Sequence, residues 1–188
     1  KLNLACCEIH SDQFINSFYL ADKIHIIICK KKILVSPGRP NSPGLYENLA
    51  SFDFTSSYGS VIVTYNLSKS TFLEKPKKNS YNIEIKKGRV YFSKTPGFFP
   101  QMLKEIIEKR KQYKHELKAK PDVIKKARSN AYKLLANASY GYQGFFGARY
   151  YCEEAAAATA AFAREAIKSA IEKTNKAGFS VIYADTDG

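Results

Sequence analysis

Asp53 sits between Phe52 and Phe54 in the run Ser51-Phe52-Asp53-Phe54-Thr55-Ser56-Ser57-Tyr58-Gly59. That alternation reads as a strand. A carboxylate on a strand otherwise built for burial is costly unless a cation or a hydrogen-bond donor meets it. Two more carboxylates, Asp185 and Asp187, stand two residues apart in Tyr183-Ala184-Asp185-Thr186-Asp187-Gly188. An Asp-x-Asp pair taken alone often caps a turn or sits on the surface. Together the three offer hard oxygen donors of the type that a divalent cation such as magnesium takes.

A second group carries the opposite charge. Between Lys104 and Arg128 there are ten Lys/Arg against four Asp/Glu, six of the chain's thirteen net positive charges. Taken alone, such a run is commonly a solvated helical face. Pattern and breakers predict one helix over about 101–118 and a second over about 122–138, separated at Lys120-Pro121-Asp122. So short a link makes the helices antiparallel neighbours. Pro121 lies midway between Arg110 and Lys133, so folding there brings those two level. Lys114 is four residues after Arg110 and Asn137 four after Lys133, so each pair shares a face. The spacing predicts a basic cluster with an amide beside it. Arg as a bidentate fork and Lys as a compact charge suit a dense anion such as a nucleoside triphosphate.

The bulk numbers agree with a polyanion partner. The chain has 188 residues and a formal charge of +13, with a pI near 9.5. Nucleic acid, nucleotides or an anionic membrane surface would all answer that charge. A 45% hydrophobic share is ample for a core. Cys6, Cys7, Cys29 and Cys152 are few and irregularly spaced, which points to reduced thiols in a cytoplasmic setting. Cys6, Cys7 and His10 lack a second ligand pair at zinc spacing. The longest apolar run, 24–29, is strand-sized and contains His25, so no membrane span is expected.

Several elements must position these groups. Residues 1–22 carry Phe14, Phe18 and Tyr19 at near-helical spacing, and 24–35 reads as one or two strands. Residues 36–44 are a Pro/Gly loop. Residues 81–92 read as a hairpin turning at Lys87-Gly88. The alanine-rich stretch 153–173 is strongly helix-forming, with small side chains that allow close packing on a sheet. Residues 179–184 read as a strand, with Phe179, Val181 and Tyr183 on one side, and 185–188 as a hairpin tip.

Three of these segments, in order, resemble motifs A, B and C of the family B DNA polymerases, most closely the archaeal replicative type. They are the stretch around Asp53 to Tyr58, the run Lys133 to Gly141 with its Asn137 and Tyr140-Gly141, and Tyr183-Ala184-Asp185-Thr186-Asp187-Gly188. Between them, Asn66-Leu67-Ser68-Lys69-Ser70-Thr71 is similar to the family's Asn-x-Ser-Pro-x-Thr, with Lys69 in place of proline. Gly147-Ala148-Arg149-Tyr150-Tyr151-Cys152 follows the archaeal pattern. The resemblance covers about 44–188; residues 1–35 have no assigned counterpart.

The resemblance implies an α+β fold. An antiparallel palm sheet backed by helices would carry the aspartates, and a two-helix fingers hairpin would project from it. Residues 1–95 would be the first part of the palm, 96–140 the fingers, and 141–188 the palm helix with the first strand of motif C. It also implies template-directed, magnesium-dependent nucleotidyl transfer from a dNTP to a primer 3′ hydroxyl. Two Mg2+ ions about 4 Å apart serve such a reaction. Asp53, Asp187 and the carbonyl of Phe54 would be their ligands, with Asp185 a weaker or outer partner. Arg110, Lys114, Lys133 and Asn137 would hold the triphosphate. Tyr58 would pack on the sugar and reject a 2′ hydroxyl, and Tyr140 with Gly141 would border the nascent base pair.

Partners by the same resemblance are primer–template DNA, dNTP, and the thumb and exonuclease parts of the polymerase, with no membrane. The setting would be cytoplasmic, at the nucleoid in a prokaryote. A chain of this extent is expected to be a fragment or a split subunit with weak or no activity alone. Ser57 and Gly59 depart from the usual leucine and proline, which loosens the turn that sets Tyr58, and Ala138 departs from the usual serine; the expectation is retained chemistry with altered fidelity and sugar selection. They also keep open a non-catalytic polymerase-like subunit with a structural or DNA-binding role. A generic RNA-binding module lacks its aromatic or Gly-x-x-Gly signature, and a reverse transcriptase would carry adjacent aspartates.

Overall fold

In the computed structural model of the chain, residues 24–29, 49–52 and 56–186 are described. Among the described residues, two small antiparallel sheets and four helices make an α+β fold. Strands β1 (Ile24–Cys29), β2 (Leu49–Phe52) and β6 (Ser180–Thr186) form the first sheet, in the order β2-β1-β6. Strands β3 (Phe72–Leu73), β4 (Ser80–Ile85) and β5 (Gly88–Ser93) form the second, in the order β3-β5-β4. The helices are α1 (Ser57–Thr64), α2 (Phe98–Ala119), α3 (Val123–Gly144) and α4 (Glu153–Lys176).

The β4–β5 hairpin turns where the sequence reading put it. Ile85 pairs with Gly88 across Lys86-Lys87, and Gly88 takes φ +113°, a conformation that glycine adopts at little cost. Side chains alternate along β5, with Val90 and Phe92 buried.

The helical hairpin is longer than pattern alone predicts. It begins at Phe98 and continues to Gly144, because both ends gain tertiary partners. Phe99 and Gln143 are buried. Asp122 caps α3 by accepting from the Lys125 N–H at 2.8 Å. Across the hairpin Lys125 Nζ meets Glu116 Oε2 at 2.7 Å, and the rings of Tyr113 and Tyr132 stack at 5.7 Å. These cross-links centre the fold-back near Pro121.

Helix α1 was not expected from the sequence. Ser57, Gly59, Val61 and Thr64 are poor helix formers, yet the segment is helical because both of its sides are buried. Val61 joins one core, with Leu67, Ile83, Val90, Phe92, Phe162 and the alanines of α4. Ile62 joins a second, with Phe99, Leu103, Ile107 and Ala136 of the helical hairpin. Both side chains are fully buried. Burying an aliphatic side chain contributes about 1.5–3 kcal/mol, more than the propensity deficit at any one position.

The small residues of α4 do what the composition suggested. Ala155, Ala158, Ala161 and Ala163 are buried, and the helix packs on both β4 and β6. Phe162 stacks on Tyr65 with centroids 3.7 Å apart. Glu153 and Glu154 in its first turn and Lys173 and Lys176 in its last complement the helix dipole. Residues 1–22, the Pro/Gly loop 36–44 and the tip at 187–188 lie outside the described residues.

Candidate functional site

Asp185 lies in β6, in the first sheet. Strand β1 lies between β2 and β6, pairing Ile26 with both Phe52 and Ala184. The next register position along β1, His25, pairs with Asp185. Strand β2 ends at Phe52. Asp185 and Thr186, read from composition as part of a hairpin tip, belong instead to β6. Asp53, Phe54 and Asp187 lie outside the described residues, and among the described residues no cluster of three metal-ligating side chains occurs.

At Ser56, segments far apart in sequence meet. Arg110 Nη1 donates to Ser56 Oγ at 2.7 Å. Ser56 is 1% exposed and left-handed, with φ 59° and ψ 56°. Two residues on, Tyr58 stacks on Tyr140, with ring centroids 4.2 Å apart and planes 15° from parallel. Partial burial, then the nearby Tyr58, push the Tyr140 hydroxyl above the ordinary phenol range; Arg164 opposes the shift. Gly141 is exposed, and a Cβ there would meet nothing within 4 Å.

Lys114, Lys133 and Asn137 are exposed on the helical hairpin, Lys114 one turn after Arg110 and Asn137 one turn after Lys133. Gly59 is buried where α1 crosses the hairpin. A Cβ there would lie 3.4 Å from Ile107 Cδ1 and 3.7 Å from the Ala136 carbonyl. Ser57, the other departure in this turn, is buried in the same helix.

Three supporting residues were missed in sequence. Asn66 is left-handed, with φ 55°. Its Nδ2 donates to the carbonyls of Ser93 and Thr95 at 2.7 and 2.6 Å, and its Oδ1 accepts from the Gly97 N–H at 2.9 Å. It thereby ties the exit of β5 and the N-terminus of α2 to the end of α1. Gly97 fits because it has no side chain: a Cβ would lie 2.5 Å from Thr71 Cγ2. Gln143 is fully buried. Its Nε2 donates to the Leu67 carbonyl at 2.8 Å, and its Oε1 has no partner among the described residues. Asparagine's tolerance of left-handed backbone and the Pro96-Gly97 pair were the available signals for the first two. None marked Gln143, since a glutamine on a polar helix normally faces water.

A sequence model described as DNA polymerase family B matches residues 39–188. The chain belongs to DNA polymerase family B. Archaeal members of the family are close relatives. The DNA polymerase of Thermococcus gorgonarius is 41% identical over 150 residues, covering 77% of this chain and 19% of that protein. DNA polymerase 2 of Aeropyrum pernix is 38% identical over 154 residues, again covering 77% and 19%. The chain thus spans about a fifth of the length of these family B relatives. The solved family B DNA polymerase of the hyperthermophilic archaeon Pyrobaculum calidifontis superposes with a TM-score of 0.57 at 27% identity, over 90% of this chain and 21% of that one. No helix among the described residues is long and apolar enough to cross a membrane.

Proposed function

We propose that this chain carries the nucleotide-joining site of a template-directed DNA polymerase, with primer–template DNA and a dNTP as substrates. The observation that carries this reading is the meeting of Ser56–Tyr58 with Arg110 and Tyr140, three segments far apart in sequence. Family membership supplies the reaction class. Residues 1–95 and 141–188 correspond to a palm and 96–140 to fingers, though α3 continues to Gly144, so motif B lies wholly within one helix.

Arg110, Lys114 and Lys133 suit the triphosphate through charge, and Asn137 adds an amide donor one turn from Lys133. Tyr58, backed by the Tyr140 ring, offers a flat face to the sugar, where an added 2′ hydroxyl would clash. Gly141 leaves room for the base pair beside Tyr140. Asp53, Asp187 and the Phe54 carbonyl, with Asp185 as an outer partner, would offer oxygen donors of the kind magnesium takes. When bound, Mg2+ would supply charge neutralisation at the phosphates and activation of the primer hydroxyl. The rest is positioning, as phosphoryl chemistry asks little covalent work of the protein.

The test is single-nucleotide extension of a labelled primer in Mg2+. Slow incorporation of the complementary dNTP, reduced at least about 100-fold in Asp187→Ala, is expected. Incorporation indifferent to Asp187→Ala would sink the assignment. Nucleotide binding that Mg2+ does not strengthen would favour the non-catalytic polymerase-like subunit.

A further inference from the structure

We propose that the outer face of the second sheet is a docking surface for the phosphate backbone of duplex DNA, separate from the proposed nucleotide site. The inference rests on the reading of primer–template DNA as a substrate.

Residues 74–94 contain seven Lys/Arg against two Asp/Glu, a net five of the chain's thirteen positive charges. They sit across α1 from the helical hairpin. Val61 joins α1 to β4, β5 and α4, whereas Ile62 joins it to α2 and α3. Ile83, Val90 and Phe92 turn one face of the second sheet into the first of these cores. Asn82, Glu84 and Arg89 alternate with them and are exposed. Leu73 pairs with Tyr91 on one side of β5, and Ser80 pairs with Ser93 on the other. Residues 74–79 must therefore cross β5, and all of them are exposed. That crossing carries Lys75, Lys77 and Lys78 along the solvent side of the sheet. Its backbone is braced. Pro76 fixes one φ, and the Lys77 carbonyl accepts from the Asn79 N–H at 2.8 Å and from Ser80 Oγ at 2.9 Å.

Most of this charge is not neutralised from within. Arg89 meets Glu84 at 3.1 Å and Lys87 meets Glu153 at 2.6 Å. Lys75, Lys77, Lys78, Lys86 and Lys94 have no carboxylate partner among the described residues. Lys86 stands at the hairpin turn and Lys94 just past the other end of β5, a strand that spans roughly 17 Å. Duplex DNA carries one negative charge per about 1.7 Å of its axis, so a contact of that length meets several phosphates. An anionic membrane fits less well. Surface binding to lipid joins basic residues to inserted apolar ones, and none of the exposed large apolar side chains lies between 72 and 95.

The experiment is titration of the chain with a blunt, labelled DNA duplex, read by fluorescence anisotropy over a salt series, beside titration with dATP in Mg2+. Lys75→Gln/Lys77→Gln/Lys78→Gln removes three exposed charges without touching either core; an unchanged melting temperature checks the fold. The variant is expected to weaken duplex binding at least about tenfold at low salt and to lower the slope of log affinity against log salt by about 2–3. Its dATP binding should equal that of the unaltered chain. Lys168→Gln/Lys173→Gln/Lys176→Gln removes the same charge from α4 and should move the slope by less than about 1. An unchanged slope in the first variant, or an equal change in the second, would overturn the inference alone. Loss of binding to phosphatidylserine vesicles with duplex binding intact would overturn it too, and would assign the face to a membrane. No duplex binding by the unaltered chain would overturn the DNA reading and this inference together.

Discussion

Tyr58 and Tyr140 stack ring on ring, 4.2 Å between centroids, across 82 residues of sequence. One follows the Asp53 segment and the other ends the Lys133–Asn137 segment, so the stack joins the two halves of the proposed nucleotide site. A tyrosine held face-on in this way is a rigid surface. In Tyr58→Ala the preference for dATP over ATP should fall, by up to about 100-fold. Tyr140→Phe keeps the ring and should keep the preference; Tyr140→Ala should lose part of it. Competition binding of the two nucleotides in Mg2+ reads all three variants, and an unchanged ratio in Tyr58→Ala would show that Tyr58 does not contact the sugar.

Gly59 lies in a helix against Ile107 and Leu103, with room for a methyl group at ordinary contact distance. Gly59→Ala should therefore stabilise the chain by about 0.5–1 kcal/mol through lower unfolded-state entropy. Gly97→Ala should do the opposite, by about 1–3 kcal/mol, since its methyl would lie 2.5 Å from Thr71 Cγ2. Thermal melts of the two variants moving in the same direction would contradict the packing described.

Asn66 holds three backbone groups from one side chain. Replacing it by alanine removes all three bonds, orphans buried groups and leaves a left-handed residue without local compensation. The expected loss is about 2–4 kcal/mol in denaturant unfolding. Asn66→Asp still accepts from Gly97 but points an oxygen at the Ser93 and Thr95 carbonyls, so it should also destabilise. A loss below about 1 kcal/mol in Asn66→Ala would mean that the hairpin and α2 are anchored elsewhere.

Alkaline pH should unfold the chain before neutral pH does. Burial, then Glu165 and then Tyr81, raise the Tyr65 hydroxyl; burial also raises Tyr140 and the Cys152 thiol. In each case the folded state holds its proton more tightly than the unfolded state. The associated stability is fully present below the unfolded-state values, near 8.5 for a thiol and 10 for a phenol. It is lost as pH rises through the raised folded values. The melting temperature should be level with respect to these groups at neutral pH, begin to fall above about 8.5, and fall more steeply above about 10. Tyr65→Phe should flatten the upper part of that fall; an identical profile would remove Tyr65 from the account.

Much of this was legible in the sequence because local rules and tertiary packing agree there. Pro121 and the spacing of Arg110, Lys114, Lys133 and Asn137 specify a helical hairpin, and contacts such as Lys125–Glu116 pull the same way. The Lys87-Gly88 turn and the alanine-rich helix were readable for the same reason. Helix α1 was not, because Val61, Ile62 and Gly59 favour other conformations locally, and only the two cores they separate make the segment helical. The roles of Ser56 and Asn66 were hidden for a related cause. Each is a short polar side chain after a turn, and what distinguishes it is a left-handed backbone and partners 54 and about 30 residues away. The placement of β1 between β2 and β6 was equally out of reach, since strand order depends on pairings that alternation does not encode.

The most direct measurement is the affinity of the chain for dATP with and without Mg2+, repeated in Asp53→Asn and Asp187→Asn. Binding that Mg2+ strengthens at least about tenfold, with that gain lost in either variant, is the predicted result. Equal affinity with and without Mg2+, or a Mg2+ effect that survives both substitutions, would contradict the assignment of Asp53 and Asp187 to a metal-assisted nucleotide site.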